Sequence, residues 1–515
     1  MPLHGIFDMT VKIDGHSLTI EDVVKVARKN EPIALAPEAP EKITRSREVV
    51  EKLISKREKI YGVSTGIGEL SNVLLSPDQL KEFQRYVVYS HAAGWGEPVA
   101  IDDGRAAWLT RVNVLSKGYS GLRLVVVTTL VDMLNKGVTP VMCQKGSVGA
   151  SGDLSPLGQG SLVVMGEGEA FYQGQRMSGK QAMDKAGIQP ITYEARDGLA
   201  TINGSNLVAG MGCLQVSDAE MLIKTSEVAA AMTLEALTPN MLAFDERIHK
   251  ARGFDGAIES AENVRKIVQG SDILKQKPQK VQESYSLRST PQVVGAAKDT
   301  LKFSRKIFET EINGVGDNPL FFTDEGGICL TGANFQGTPL AFALEYLGIA
   351  LTTVGALSER RMNRLVNPAL SMGLPPFLTK GAGMFSGMML AQYTAASLVC
   401  ENRVLSTPAA TGSIPTAADQ EDFVSMANTT AIKTKEILKN STAIFAIELM
   451  AGAQALDFRP MKPGKGTQAA HDAVRKHVTH LEADRPLYND IMKLSKVVES
   501  GEILEAVEGA VGKLK

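Results

Sequence analysis

GSVGASGDLSPLGQG, residues 146–160, packs five glycines and three serines into 15 positions between two apolar segments. Such a stretch reads as a tight loop with unusual backbone freedom and not as a linker. Ala150, Ser151 and Gly152 lie at its centre. A glycine nitrogen carries no flanking side chain, so Gly152 N can approach the Ala150 carbonyl. Closure of that bond, with loss of two waters including the Ser151 hydroxyl, makes a methylidene-imidazolone, an electrophile formed from the chain itself. The same letters also describe a plain capping loop, with Ser151 or Asp153 as N-cap of a helix starting near Leu154.

Five further stretches carry chemistry. YGVSTGIGEL (61–70) sets Tyr61 before three glycines, and YSHAAGWGEP (89–98) sets Ser90 and His91 before small residues. A loop and a structural hydrogen-bonding histidine would account for these two equally. GLATINGSNLVAG (198–210) offers Asn203 just ahead of a helix start, where backbone amides and the helix dipole favour an anion. QESYSLRSTPQV (282–293) spaces Gln282, Tyr285 and Arg288 by three, so one turn can aim all of them together. An arginine clamps a carboxylate through two parallel hydrogen bonds, and a neighbouring tyrosine can move a proton. A surface arginine beside a half-buried tyrosine is the plainer reading. In SIPTAADQEDFVSM (413–426), Gln420, Glu421 and Asp422 adjoin Phe423 and Val424. Acids beside an apolar step are either partly desolvated or helix caps.

Composition bounds the rest. The chain has 515 residues, 44 % hydrophobic and 22 % charged, with a formal net charge of -2, enough for a large core and for either one large domain with an appendage or two to three domains. That charge balance, with 5 % aromatics, argues against nucleic acid or an anionic membrane as partner. The opening MPLHGIFDMTVKIDG has no basic segment followed by an apolar core, which sets a cytoplasmic expectation. Cys143, Cys213, Cys329 and Cys400 form no CxxC pair, so zinc and iron–sulfur spacings are missing and free thiols are expected. The apolar run from Pro339 to Leu357 is interrupted by Glu345 and threonines, which suits a helix in a soluble core.

Helical periodicity dominates. Thr19 with Glu21 and Asp22 marks a helix start, and Val49, Val50, Leu53 and Ile54 share one face. Extended pieces are expected near Phe7 to Ile13 and Phe321 to Leu330. Beyond residue 205 come long amphipathic candidates: 217–237, 291–312, 339–365, 386–405, 430–455, 467–482 and 488–511. A helix bundle is the natural solution, and helices apolar around much of their circumference need covering by other subunits. The expected division is 1–205, an N-terminal region carrying the loop, and 206–515, a long-helix bundle with C-terminal helices.

Taken together and in order, these stretches resemble the histidine and aromatic amino acid ammonia-lyase family over nearly the whole chain. The shared elements read Tyr61–Gly68, Ser90–Gly94, Gly146–Leu157, Ile202–Ser205, Tyr285–Arg288, Asp317–Leu320 and Gln420–Asp422. The resemblance implies a mainly α fold, with a long-helix bundle core of the aspartase/ammonia-lyase type and a smaller mixed N-terminal region. It implies a homotetramer with active sites completed by three subunits, and a small amino acid as substrate. It also assigns roles. Ala150, Ser151 and Gly152 form the methylidene-imidazolone, with Asp153 and Phe335 shaping or screening it. Arg288 holds the substrate carboxylate, while Asn203 and Gln282 orient the amine and the cofactor oxygen. Tyr61 is the base for the β-proton and Tyr285 assists. His91, Met389 and Glu421 surround the substrate side chain, and Glu421 also serves the leaving amine. Neither a metal nor a diffusible cofactor is required. The leading expectation is elimination of ammonia from L-histidine to urocanate; the alternative is a tyrosine or phenylalanine ammonia-lyase, or an aminomutase, with the same cofactor. Phe423 departs from the family's usual QEDHVSM, in which a histidine follows the acids.

Overall fold

The computed structural model describes residues 10–515. It is mainly helical, as expected. Of the extended piece expected near Phe7 to Ile13, Val11–Ile13 pairs in parallel with Ile33–Leu35; Phe7 to Met9, like most of the stretch read for a leader, lie outside the described residues. The helix Ile20–Lys29 starts where Thr19 foretells it. The Thr19 hydroxyl accepts the Asp22 N–H at 3.1 Å and the Asp22 carboxylate accepts the Thr19 N–H at 3.3 Å, a reciprocal cap for two otherwise orphaned donors.

The chain forms two compact units, each gathered from three segments. Met1–Ser217, Ser304–Glu345 and Pro408–Ile432 make one; Asp218–Phe303, Tyr346–Thr407 and Lys433–Lys515 make the other. The first unit carries the short sheets. Trp95–Pro98 pairs antiparallel with Cys143–Lys145, Glu169–Tyr172 pairs with both Thr139–Pro140 and Gln175–Ser178, and Leu320–Phe322 forms a hairpin with Ile328–Leu330. Its core includes the helix Ile101–Ser116, buried from Asp103 onward. From this helix Arg111 reaches Asn206 Oδ1 at 3.0 Å, Gly316 O at 3.1 Å and the Asp317 carboxylate at 3.3 Å. Arg196 closes on the other Asp317 oxygen at 2.7 Å, and all three charged side chains are fully buried. A buried carboxylate between two guanidinium groups is costly to break, about 3–5 kcal/mol. The Asp317–Leu320 element thus anchors the backbone behind the glycine-rich loop.

The second unit is built from helices. Glu448, on Ala427–Leu456, takes Arg361 Nε at 2.6 Å, Ser358 Oγ at 2.5 Å and Thr233 Oγ1 at 2.9 Å, so one buried carboxylate fixes three long helices against one another. Most long candidates are observed near their expected places, as Thr290–Glu311, Thr338–Val366, Met389–Leu405 and Ala427–Leu456. Three differ. The helix expected over 217–237 begins eleven residues earlier, as Asn206–Leu237. The helix expected over 467–482 ends at His477, where Val478 turns extended. The one expected over 488–511 breaks into Leu487–Glu499 and Glu502–Val511 because Gly501 adopts φ 82°.

Thr338–Val366 is long and apolar enough to cross a bilayer, yet 67 % of its most apolar stretch is buried within the protein. Glu345, on this helix, accepts Ala409 N–H at 2.7 Å and the Thr430 hydroxyl at 3.0 Å. A carboxylate supplied with protein donors is a core device.

Candidate active site

The glycine-rich loop leaves the strand Cys143–Lys145 and enters the helix Leu154–Val164. Gly149 and Gly152 pair across it, which puts Ala150 and Ser151 at the tip. Ser151 and Gly152 both take left-handed backbone, φ 52° and 83°. Gly152 lies so tightly against Gly204 that a Cβ there would strike the Gly204 carbonyl. Gly204 holds both ends of this contact, donating its N–H to Ser151 O at 3.2 Å and accepting the Asp153 N–H at 2.8 Å. A turn of two left-handed residues that ends in a glycine with no room for a side chain is one in which the tripeptide can close on itself, so these residues fit the methylidene-imidazolone.

Asp153 sits at the N-cap position of Leu154–Val164 but makes no side-chain bond into that helix. Its Oδ2 instead accepts Val208 N–H at 2.9 Å, in the first turn of Asn206–Leu237, and satisfies a donor that helix leaves free. The carboxyl is 1 % exposed and burial pushes it up to about 7, against the Val208 and Ser147 donors that pull the other way. Burial likewise lifts Glu311 to about 7, with the Asp153 charge adding to it. A carboxyl raised in this way keeps a proton that the unfolded chain has released. Its stabilising contribution is complete below about 3.9, the ordinary carboxyl value, and is lost as pH rises through about 7. Asp153→Asn should therefore flatten part of the decline in Tm between about pH 4 and 7 in thermal melts; an unchanged slope would contradict the protonated Asp153.

A cavity of about 330 Å3 opens in front of Ser151, a size usual for small-molecule sites. Tyr61, His91, Ser151, Leu199, Asn203 and Glu421 are on its walls. Tyr61 precedes a glycine-rich turn, and its phenol oxygen accepts the Gly68 N–H at 3.1 Å. Burial raises the phenol above its ordinary value and the Glu421 carboxylate adds to this, while the Gly68 donor favours the phenolate. His91 ends the helix Pro77–His91, with Nδ1 2.7 Å from Val87 O. A carbonyl only accepts, so Nδ1 carries a proton, and in the neutral ring Nε2 is left as an acceptor. Asn203 is 2 % exposed and its buried Oδ1 has no hydrogen-bond partner. Such a group has a cost unless something else pairs with it. Glu421 reaches the tip from 270 residues away: its Oε1 accepts the Ser151 hydroxyl at 3.2 Å. Thr416 and Glu421 pair through their backbones and so hold the acid's loop closed.

The remaining expected residues lie elsewhere. Phe335 is half-buried and its carbonyl accepts the Ser205 hydroxyl at 2.8 Å. Gln282 and Arg288 line a second cavity of about 290 Å3, wholly within the other unit. There Arg288 stacks on Tyr285, 4.6 Å from ring centre to guanidinium carbon, and its buried Nε has no partner. Tyr285 is 73 % exposed. Met389 opens the helix Met389–Leu405 and is half-buried. Phe423 is 64 % exposed, pointing its ring outward while Glu421 turns to Ser151. Sequence reasoning missed Gly68, Leu199 and Ala417 as parts of the Ser151 cavity. The glycine repeat after Tyr61 was a signal for the first; an alanine and a leucine among many gave none.

The profile of the aromatic amino acid lyase family matches residues 18–476. The chain belongs to the aromatic amino acid lyase family. Among its relatives, the histidine ammonia-lyase of Alkaliphilus oremlandii is 46 % identical, the match covering 97 % of this chain and 99 % of the relative. Two solved structures of this family's fold are close. A tyrosine aminomutase from Streptomyces globisporus superposes with a TM-score of 0.94 at 36 % identity, covering 98 % of this chain and 100 % of that one. A histidine ammonia-lyase from Trypanosoma cruzi gives 0.91 at 35 % identity, with 98 % and 96 % covered. The aromatic amino acid lyase fold thus extends over nearly all of the described chain.

Proposed function

We propose that this chain is a cytoplasmic histidine ammonia-lyase that eliminates ammonia from L-histidine to give urocanate, the first step of histidine degradation. The observation that carries this reading is the presence of His91 and Glu421 on one cavity with Ser151 and Tyr61. A neutral imidazole has one ring N–H, which the His91 Nε2 or the Glu421 carboxylate can accept and which a phenyl ring lacks, so phenylalanine would leave these acceptors unpaired. Full-length relatives named histidine ammonia-lyase at 44–47 % identity support it.

The prosthetic group is the methylidene-imidazolone made from Ala150, Ser151 and Gly152, which supplies an electrophile that makes the substrate's amine a better leaving group. The rest falls to side chains. Tyr61 takes the β-proton, with its oxygen held by the Gly68 N–H. Asn203, with its unpartnered Oδ1, orients the amine together with Gln282. Arg288 clamps the carboxylate, Tyr285 assists proton movement, Met389 gives a neutral wall, and Asp153 and Phe335 shape the loop's surroundings. Neither a metal nor a diffusible cofactor is called for by this chemistry.

Arg288 and its neighbours act across subunits in this reading. A homotetramer brings the Gln282–Arg288 cluster of one chain over the Ser151 cavity of another. Exposed apolar residues support it, among them Leu390, Tyr393 and Val404 along one apolar helix and Ile349 on another. The four free thiols suit a reducing cytoplasm.

The test is turnover of each common amino acid, followed by ammonia release and by the ultraviolet absorption of each unsaturated acid. Histidine is expected to be preferred. His91→Leu and Glu421→Gln should each lose about 1.5–3 kcal/mol of transition-state stabilisation with histidine, the scale of a hydrogen bond to a charged group. Preference for tyrosine or phenylalanine, or a β-amino acid as product, would overturn the histidine reading.

A further inference from the structure

Ser147 stands within the glycine-rich loop but outside the cavity of Tyr61 and Glu421. It is 9 % exposed. Its Oγ accepts the Gly149 N–H at 3.2 Å and lies 3.3 Å from Gly152 O and 3.4 Å from Asp153 Oδ1. A hydroxyl has one proton and two lone pairs, so Ser147 can accept from Gly149 while donating to Gly152 or Asp153. It therefore ties together the two glycines that pair across the turn, immediately before Ala150 and at the end of the reacting tripeptide. The loop is fastened farther out by Met426 N–H on Val148 O, 2.9 Å, and by Asp153 N–H on Gly204 O, 2.8 Å.

Closure of the tripeptide needs no oxidant or reductant. Gly152 N forms a bond to the Ala150 carbonyl carbon, and the nitrogen's proton ends on the carbonyl oxygen. That hydroxyl leaves as water with the Ser151 N–H proton, making a double bond between Ala150 C and Ser151 N. The Ser151 Cα–H proton and Cβ hydroxyl then leave as the second water, making the methylidene. The difficult part is conformational. Glycines permit the bend but lose the most freedom on adopting it, so closure is slow unless something holds the bend.

We propose that Ser147 is a positioning residue for this closure, its hydroxyl holding Gly149 and Gly152 together so that the Gly152 nitrogen is kept near the Ala150 carbonyl. This rests on the methylidene-imidazolone reading above. The hydroxyl's bonds go to Gly149, Gly152 and Asp153 and to none of the residues that line the cavity, so its effect falls on how fast sites mature and not on what a mature site does.

Intact-mass spectrometry of the full-length chain, sampled at intervals after synthesis, reads closure directly as loss of the mass of two waters. Wild type is expected to show it fully, and Ser151→Ala never. Ser147→Ala should mature about tenfold more slowly, the rate equivalent of one hydrogen bond. Ser147→Thr, which keeps the hydroxyl, should recover the rate; Ser147→Cys, with similar volume and a weak donor, should lag as alanine does, which guards against collapse of the loop. Ammonia release divided by the matured fraction should be unchanged in all three. If wild type loses two waters and Ser147→Ala or Ser147→Cys does so equally fast, the role of Ser147 is overturned while the cofactor reading stands. If wild type shows no mass loss, both fall.

Discussion

Ser151→Ala is expected to fold normally and lose turnover by at least about a thousandfold, since covalent activation of a poor leaving group has no substitute elsewhere in the cavity. The alanine Cβ carries no hydroxyl to leave as the second water, so the methylidene carbon cannot arise. The fold should hardly notice: before closure the Ser151 hydroxyl makes one bond, to Glu421 at 3.2 Å on the cavity wall, and closure itself removes that hydroxyl in wild type. A change in stability within about 0.5 kcal/mol is the scale for a substitution that leaves no buried group stranded. Two measurements check this. A difference absorption spectrum of wild type against the variant should show the conjugated ring in wild type, and thermal melts should coincide. Near-normal activity in the variant would remove the chemical basis of the whole reading.

Tyr61→Phe comes next in size, with an expected loss of about 10²–10⁴-fold, the contribution usual for a positioned acid–base group. Burial raises the Tyr61 phenol, so at neutral pH it is protonated in the free enzyme and only its phenolate can accept a proton. It follows that kcat/KM should climb as pH rises above neutrality, as the phenolate fraction grows. The phenylalanine variant should lack that climb. A residual rate above about a tenth of wild type, or an identical pH profile, would show that another group takes the β-proton.

How far the letters reveal the molecule depends on whether a signal is local. Glycines in 146–160 mark a backbone that must bend sharply, because only that residue fits where Gly152 meets Gly204. Thr19 and Asp22 mark a helix start, because the cap is made within four residues. Asp153 is different: its letter reads as a cap for the helix beside it, but its carboxylate serves Val208, a partner that only the folded chain brings near. Likewise the spacing of Gln282, Tyr285 and Arg288 predicts that they share a side, and Gln282 and Arg288 do line one cavity. The spacing carries no information about which surface that side meets. Phe423 invites concern as a neighbour of the acids, but its ring is 64 % exposed while Glu421 meets Ser151, a difference that the letters alone do not carry.

The unit bearing the reactive loop is completed by Ser304–Glu345 and Pro408–Ile432, late segments of the chain. Glu421 follows Ser151 by 270 residues, and Met426, which fastens Val148, comes later still. At about 5–20 residues per second, a ribosome reaches Glu421 roughly 10–60 s after it has made the loop. A nascent or truncated chain therefore carries the three letters of the electrophile without the surroundings that bend them. In the proposed chemistry the fold acts as a timer, since the reactive carbon would arise only after the late segments had built the cavity that contains it.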